Sequence, residues 1–308
     1  MGIDIPSTQF LCCAKSIGVD FSDTITVGRQ YAYTDVDVIT SVLSTIGIPR
    51  EQASAVLQKE APAEPLFALL GARQVSSVDA SDYEGATYIH DFNQPLPTSL
   101  ASRFSVVHDG GTIEHVFNIP QAFKNCMEMV RVGGHFIQVN VANNYMGHGF
   151  WQFCPELIYR IFSRENGFQI KAVLMHVHVM PTSSTSLGRW YKVEDPAEHH
   201  CRAELINHRP TYICTIAQRV EDKRIFETFP QQSGYVELWK QTQERAHEID
   251  RKSPTVFSIR RTISRTVKEL NRWRLKAVSG PFDRPYYQSI SDQDLAVFNR
   301  GPSGALLP

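Results

Sequence analysis

Short apolar runs rich in β-branched residues recur along the first 220 residues of the chain, and most of them end at a polar residue or a glycine turn. Runs of this length, bounded in this way, predict β-strands. The predicted strands cover residues 24–27, 74–78, 86–89, 104–107, 136–139, 168–179 and 211–217.

Segments with helical periodicity separate these strands. The clearest of these segments covers residues 119–132. Its apolar residues recur three or four positions apart, at Phe123, Met127 and Val130, and Gly133 follows it. The shorter predicted helices cover residues 36–43, 66–70 and 155–162. Alternating strands and helices predict an α/β fold, here a Rossmann-like three-layer sandwich with a mostly parallel sheet of about seven strands.

Polar side chains stand where several of the predicted strands end. Asp79, Asp91, Asp109 and Asn140 each follow a strand directly or within two residues. Because parallel strands end at one edge of a sheet, and ligands bind outside that edge, these residues predict a functional site there.

The texture of the sequence changes after residue 220. Residues 256–275 carry apolar positions every three or four residues and many Arg and Lys residues on the other faces, without a strand signal. We therefore divide the chain into a Rossmann-like domain (1–220) and a C-terminal helical extension and tail (221–308). The basic face is either solvated or in contact with an anionic substrate, a phospholipid surface or a second subunit. A homodimer is therefore one of the alternatives.

Composition narrows the function classes. The chain is 42% hydrophobic and 20% charged with a net charge of −1, which gives no global field for nucleic acid or a membrane surface. No apolar stretch reaches the roughly 18 residues of a membrane span.

The six cysteines form no CxxC pair, which predicts reduced thiols in the cytoplasm. The histidines at 176 and 178 and the group at 199–208 match no zinc signature, so no metal is predicted.

One segment carries a recognisable motif. Residues 104–116, Phe-Ser-Val-Val-His-Asp-Gly-Gly-Thr-Ile-Glu-His-Val, resemble the fourth-strand motif of class I (Rossmann-like) S-adenosylmethionine-dependent methyltransferases. In that motif a strand ends in an acidic turn followed by Leu-Glu-His-Val. Residues 127–134 resemble the helix and glycine turn that come next in the family. The resemblance covers residues 20–220 as an order of elements and is motif-specific over residues 75–170.

The resemblance implies methyl transfer from S-adenosylmethionine to an oxygen of a small polar acceptor. It implies that Asp79 accepts hydrogen bonds from the ribose hydroxyls and that Asp91 and Phe92 flank the adenine. It also implies that Asp109 and Gly110 lie close to the methionine part, where glycine allows close approach.

The first loop departs from the family pattern. It has Gly28 and Arg29 where the family usually has a GxGxG motif. Arg29 either supplies a charge to the cofactor's carboxylate or blocks the pocket. The degenerate loop keeps a rival function open, namely a methyltransferase-like module without cofactor that serves as a binding or scaffolding partner. A nicotinamide-dependent oxidoreductase needs the glycine fingerprint even more.

The acceptor side is predicted from the loops after the fourth and fifth strands. His148 and His115 are the candidate general bases, because imidazole can deprotonate a hydroxyl near neutral pH; His108 is a weaker candidate. His148 lies in residues 143–153, a polar and aromatic segment that suits a sugar or a nucleotide-linked sugar.

Overall fold

The computed structural model describes residues 2–33, 35–178, 188–199, 202–239, 242, 287–291 and 295. Its helices are α1 (Ile5–Ser16), α2 (Val36–Ser44), α3 (Arg50–Ser54), α4 (Glu64–Leu69), α5 (Ile119–Met129) and α6 (Pro155–Ile161), and residues 233–239 are also helical. Its strands are β1 (Gly2–Ile3), β2 (Asp23–Val27), β3 (Tyr31–Ala32), β4 (Ala61–Pro62), β5 (Gln74–Asp79), β6 (Tyr88–Ile89), β7 (Phe104–Asp109), β8 (Val130–Asn143), β9 (Phe168–His178), β10 (Gly188–Val193), β11 (Thr211–Arg219) and β12 (Tyr287–Ile290).

The central sheet has the strand order β12-β10-β9-β11-β8-β7-β2-β5-β6. The strands from β8 to β6 are parallel to one another, and β11 is antiparallel to both of its neighbours. β9 and β12 run in the same direction as the parallel group, so β10 and β11 are the reversed strands. The predicted α/β fold with a mostly parallel sheet is confirmed, with nine described strands because β10 and β12 extend its edge.

Helices cover both faces of the sheet. Successive side chains of a strand point to opposite faces, and Val106 and Val107 of β7 accordingly belong to different hydrophobic clusters. The cluster containing Val106 also contains side chains of α1 to α4, whereas the cluster containing Val107 contains side chains of α5 and α6. The three layers of the predicted sandwich are therefore present.

Helix α1 has no counterpart among the sequence predictions. Its side chains from Ile5 to Ala14 are buried with the exception of Gln9, so the sequence shows no alternation of apolar and polar faces. Asp4 caps the helix, because its Oδ1 accepts hydrogen bonds from the Ser7 backbone N–H at 2.9 Å and from the Ser7 hydroxyl at 2.6 Å.

The predicted helix 119–132 ends earlier than its apolar pattern suggests. The helix stops at Met129, because Val130 already pairs with Phe104 and begins β8. The glycines at 133 and 134 lie within that strand rather than in a turn after the helix. A Cβ atom at Gly134 would lie 2.9 Å from the carbonyl oxygens of Phe104 and Ser105, so glycine allows the strands to approach here.

A small second sheet fixes the loop that follows β2. Strand β3, within that loop, pairs with β1 near the N-terminus and with β4 before α4. The Ala63 N–H also donates to the Gln30 carbonyl at 2.9 Å. The loop after β2 is therefore held by backbone hydrogen bonds on both sides.

Part of the C-terminal segment belongs to the central sheet. β12 pairs with β10 in an antiparallel register, and Tyr287 is buried. The basic segment 256–275 lies outside the described residues, and the predicted domain division stays a prediction. Across the described residues, no helix combines the length and apolar character that a membrane crossing requires.

We expect acid to destabilise the fold through its buried histidines. Burial lowers the pKa of His108 to about 4, from 6.5, so the unfolded chain binds a proton more readily than the native one between these pH values. The contribution of neutral His108 to the free energy of unfolding is fully present above pH 6.5 and is lost as the pH falls from 6.5 towards 4. His108→Gln should lose less unfolding free energy between pH 7 and pH 4.5 than the native chain, by on the order of 2 kcal/mol, as measured by urea unfolding.

The control for this measurement is His208→Gln, which replaces an exposed histidine. It should reproduce the acid sensitivity of the native chain. An equal loss of stability in His108→Gln and the native chain would contradict a neutral buried His108.

Candidate functional site

The order of the strands creates a crevice at the carboxyl edge of the sheet. From β2 the chain proceeds to β5 and β6 on one side, then returns to β7 and β8 on the other side. The ends of β2 and β7 lie next to each other, with Val27 paired to Asp109. Such a reversal of strand order is where open α/β sheets bind ligands.

Two glycines line this crevice. Gly28 has φ +70°, a left-handed conformation that favours glycine, and a Cβ there would lie 2.6 Å from Thr112 Oγ1. A Cβ at Gly110 would lie 2.6 Å from Gln30 Oε1. Gln30 is buried and its Nε2 donates to the Val27 carbonyl at 2.9 Å. The Gln30 carboxamide therefore lies between the two strand ends, which the sequence alone did not indicate.

Arg29 is committed to contacts within the protein. Its Nε donates to Glu64 Oε1 at 2.9 Å, and its Nη1 donates to the Glu84 carbonyl at 2.8 Å. The guanidinium thus joins the loop after β2 to helix α4 and to the loop after β5. Its predicted role at the cofactor's carboxylate stays a prediction.

The other predicted cofactor residues follow β5 and β6. Asp79 ends β5, the strand beside β2, and its half-buried carboxylate accepts a hydrogen bond from the Ala80 N–H at 2.6 Å. Asp91 is exposed, and the backbone N–H of Asn93 holds the pKa of its carboxyl below the ordinary value. Phe92 is 95% buried in the core, with its ring centroid 5.6 Å from that of His90. Asp79 is therefore the nearest of these to the crevice in strand order.

Asp109 is fully buried beneath the crevice. Its Oδ1 accepts hydrogen bonds from the N–H groups of Thr112 at 2.9 Å and Ile113 at 3.3 Å. Burial, and then the nearby Glu114 carboxylate, raise the pKa of Asp109 well above its ordinary value. Asp109 therefore fixes the turn that carries Glu114.

A buried carboxylate and the two predicted histidines meet above this turn. Glu114 is fully buried, and its Oε2 accepts a hydrogen bond from Asn140 Nδ2 at 2.8 Å. Glu114 Oε1 lies 3.5 Å from His148 Nε2 and 4.0 Å from His115 Nε2. The two imidazole centroids are 5.2 Å apart. We call these three side chains the Glu-His-His cluster.

Backbone hydrogen bonds hold the two loops of the Glu-His-His cluster together. The Glu114 carbonyl accepts from the N–H groups of Phe150 at 2.9 Å and Trp151 at 3.2 Å. The Trp151 indole Nε1 donates to the Val116 carbonyl at 3.0 Å. A Cβ at Gly149 would lie 2.9 Å from the Glu114 carbonyl oxygen, so the close approach requires glycine.

The protonation of His115 follows from its surroundings. Partial burial lowers the pKa of His115, and the adjacent Glu114 carboxylate opposes that shift. The neutral imidazole is therefore favoured at neutral pH, which is the form that accepts a proton or binds a metal.

Aromatic side chains extend from the cluster along the sheet edge. The Tyr145 ring lies 5.6 Å from His148 and stacks on Tyr212 at 5.5 Å. His178 contacts Tyr212 at 4.5 Å and lies 4.7 Å from His176, which shares its sheet face as the strand period predicts. These residues line the carboxyl end of β9 and the start of β11.

Among the described residues, one group of potential metal ligands lies close together. Glu114, His115 and His148 are the only described group of three such residues whose donor atoms all lie within 4.8 Å of one another. In the sequence group at 199–208, His199 contacts Glu194 Oε2 at 2.7 Å, while residues 200 and 201 lie outside the described residues. The sequence predicted the two clustered histidines as bases but did not identify Glu114 as their partner.

No protein-family model matches this sequence, and no curated protein matches it either. Among solved structures, the chain is similar to a SAM-dependent methyltransferase from Thermotoga maritima (11% identity, 70% of this chain, 91% of that one, TM-score 0.36). It is also similar to the branched-chain polyamine synthase from Thermus thermophilus (12% identity, 74% of this chain, 61% of that one, TM-score 0.34). Likenesses this distant carry no functional argument, so the function rests on the site itself.

We expect Gly28→Ala to destabilise the fold more than Gly47→Ala. Both glycines have a positive φ, which costs an alanine about 1–2 kcal/mol. Only at position 28 would the new Cβ also meet Thr112 Oγ1, which donates to the Val27 carbonyl at 2.8 Å. Loss of that hydrogen bond should add about 1 kcal/mol, measured as the difference in unfolding free energy between the two variants. Equal losses would show that Thr112 does not pack against Gly28.

Proposed function

We propose that the chain transfers a methyl group from S-adenosylmethionine to an oxygen of a small polar acceptor. The observation that supports this most is the crevice between β2 and β7, with glycines at both strand ends, Asp79 on one side and the Glu-His-His cluster on the other. This arrangement supports the proposal because a cofactor site and a base would then lie at the same edge of the sheet.

The cofactor half of the proposal uses the residues after β5 and β6. The Asp79 carboxylate accepts hydrogen bonds from the ribose hydroxyls, and Asp91 and Phe92 flank the adenine. Gly28 and Gly110 admit the methionine part at the strand ends, with Asp109 beneath it. Phe92 is 95% buried, so only a small part of its ring can contact the base.

The acceptor half uses the Glu-His-His cluster. His148 removes the proton from an acceptor hydroxyl, and Glu114 Oε1, 3.5 Å from His148 Nε2, stabilises the resulting imidazolium. The acceptor oxygen forms a bond to the methyl carbon while the carbon–sulfur bond breaks. The electron pair of the breaking carbon–sulfur bond passes to sulfur, and the sulfonium becomes the neutral thioether of S-adenosylhomocysteine. Alignment of the two reactants supplies most of the acceleration.

The surface beside the cluster supports a proposal for the acceptor class. Phe117, Phe150 and Trp151 are exposed, and Phe117 and Phe150 meet edge to face at 5.8 Å. Aromatic faces beside polar groups suit a ligand with both C–H and hydroxyl surfaces, such as a sugar or a nucleotide-linked sugar. We propose that class as the acceptor.

We also propose a reducing, cytoplasmic setting. Cys12, Cys13, Cys126 and Cys214 are buried and Cys154 is exposed, and all five are free thiols. A second copy of the chain remains a proposed partner through the C-terminal segment.

A module that binds partners without a cofactor is the second candidate function. The Gln30 carboxamide lies between the strand ends, and the charge of Arg29 is paired with Glu64. Both features reduce the room and the positive charge available to a bound methionine group. The two functions differ in whether S-adenosylhomocysteine binds.

Calorimetric titration with S-adenosylhomocysteine distinguishes these functions. We expect the native chain to bind it, and Asp79→Ala to weaken binding by about 10- to 100-fold, because hydrogen bonds to a charged acceptor are lost. Asp82→Ala is the matched control, since it removes the same charge from an exposed position in the same loop. An absence of binding at millimolar ligand would favour the cofactor-free module.

A second prediction concerns the base. With a panel of free and nucleotide-linked sugars as acceptors, His148→Ala should reduce release of S-adenosylhomocysteine by about 10²- to 10⁴-fold, the usual contribution of a general base. The affinity for S-adenosylhomocysteine should be unchanged, because His148 is on the acceptor side. Native turnover in His148→Ala would exclude it as the base.

A further inference from the structure

The Glu-His-His cluster has the composition and spacing of a metal site. We propose that Glu114, His115 and His148 bind one divalent transition-metal ion of the zinc type. Each residue offers one donor atom, and these three atoms all lie within 4.8 Å of one another. Two imidazoles and one carboxylate are also the protein ligands of a common class of catalytic zinc site.

The donor distances fit this proposal with little movement. Donors bound tetrahedrally at about 2.1 Å from an ion lie about 3.4 Å from one another. Glu114 Oε1 is already 3.5 Å from His148 Nε2 and 4.0 Å from His115 Nε2. Because both histidine side chains are partly exposed, at 41% for His115 and 35% for His148, small rotations can complete the geometry.

The carboxylate is oriented as metal ligands usually are. Asn140 Nδ2 binds Glu114 Oε2, which leaves Oε1 facing the two imidazoles. Glu114 Oε1 is buried and has no hydrogen-bond partner among the described residues. A buried carboxylate oxygen in that state loses the stabilisation of water, and an ion would restore it. Outer partners such as Asn140 orient ligands in the same way in known metal sites.

The donor set selects the class of ion. Mg²⁺ and Ca²⁺ prefer oxygen ligands, whereas imidazole suits Zn²⁺, Fe²⁺, Co²⁺ and Ni²⁺. Three protein ligands also leave a coordination position open, on the side where the histidines reach solvent. A hydroxyl of the acceptor can take that position.

A bound ion would change how the acceptor is activated. The two imidazoles would then act as ligands, and the ion instead of His148 would lower the pKa of the acceptor hydroxyl. This use of the ion rests on the proposed methyl transfer, whereas binding of the ion does not.

Metal binding is tested on the full chain without an affinity tag. The protein is treated with a chelator, dialysed, and titrated with Co²⁺ and Zn²⁺ by calorimetry. We expect one ion per chain, visible d–d absorption from bound Co²⁺, and displacement of Co²⁺ by Zn²⁺. Quenching of tryptophan fluorescence by Co²⁺ gives an independent readout, because Trp151 is bonded to the turn that carries the ligands.

Variants identify the ligands. Glu114→Gln, His115→Ala and His148→Ala should each weaken Co²⁺ binding by about 100-fold or more, and Asn140→Ala by about 10- to 100-fold. His208→Ala removes an exposed histidine elsewhere and should leave the affinity unchanged. Thermal melting of each variant reports whether it folds. If Glu114→Gln does not fold, His148→Ala still tests the proposal, because His148 is partly exposed and its loss should leave the fold intact.

The outcomes separate this proposal from the methyl transfer itself. The metal site is overturned by a folded chain that binds neither ion, or that binds them equally well in the His148→Ala and native forms. Binding of S-adenosylhomocysteine is measured in parallel on the chelated protein. If the cofactor product binds and the ions do not, only the metal proposal fails; the reverse result would reject the cofactor and retain the metal.

Discussion

The backbone pairing between β2 and β7 places Val27 and Asp109 opposite each other, although 81 residues separate them in the chain. The crevice at the ends of these two strands follows from that adjacency. The glycine after each of these residues faces the same crevice, and the turn after β7 carries Glu114 toward the loop after β8. A sheet in which the chain did not return beside β2 would leave these groups several strands apart along the same edge.

The burial of Glu114 is the second organising feature. A carboxylate removed from water is unfavourable unless partners replace the lost hydration. Asn140 supplies one hydrogen bond, and the histidines lie near the other oxygen. The Glu114 backbone contributes as well, since its carbonyl joins the turn after β7 to residues 150 and 151. In the proposed function, the same residue therefore sets both the electrostatics and the shape of the acceptor side, beside two histidines whose ring centroids are 5.2 Å apart.

The Gln30 side chain occupies part of the crevice between the ends of β2 and β7. With one glycine at the end of β2, Gln30 lies against Gly110, and Arg29 turns toward Glu64. The small sheet of β1, β3 and β4 holds this loop through backbone hydrogen bonds. Any cofactor that enters must displace or contact the Gln30 carboxamide, whose Oε1 has no described hydrogen-bond partner. In the proposed function, specificity at this end depends on the Gln30 side chain in addition to the backbone.

The local sequence pattern was sufficient to predict the layers of the fold. The apolar runs at 104–107 and 136–139 and the periodicity after residue 119 determined a parallel α/β sheet with polar strand ends. They could do so because the face that an element buries depends on the spacing of its apolar residues. Helix α1 was not predicted because it is buried almost all round. Strands β10 and β12 were not predicted because their pairing with β9 and with each other defines them. The sequence also identified His115 and His148 as candidate general bases. Only the tertiary structure decided that both meet Glu114, because contacts between residues 114 and 148 depend on how β7 and β8 pair, which no local pattern records.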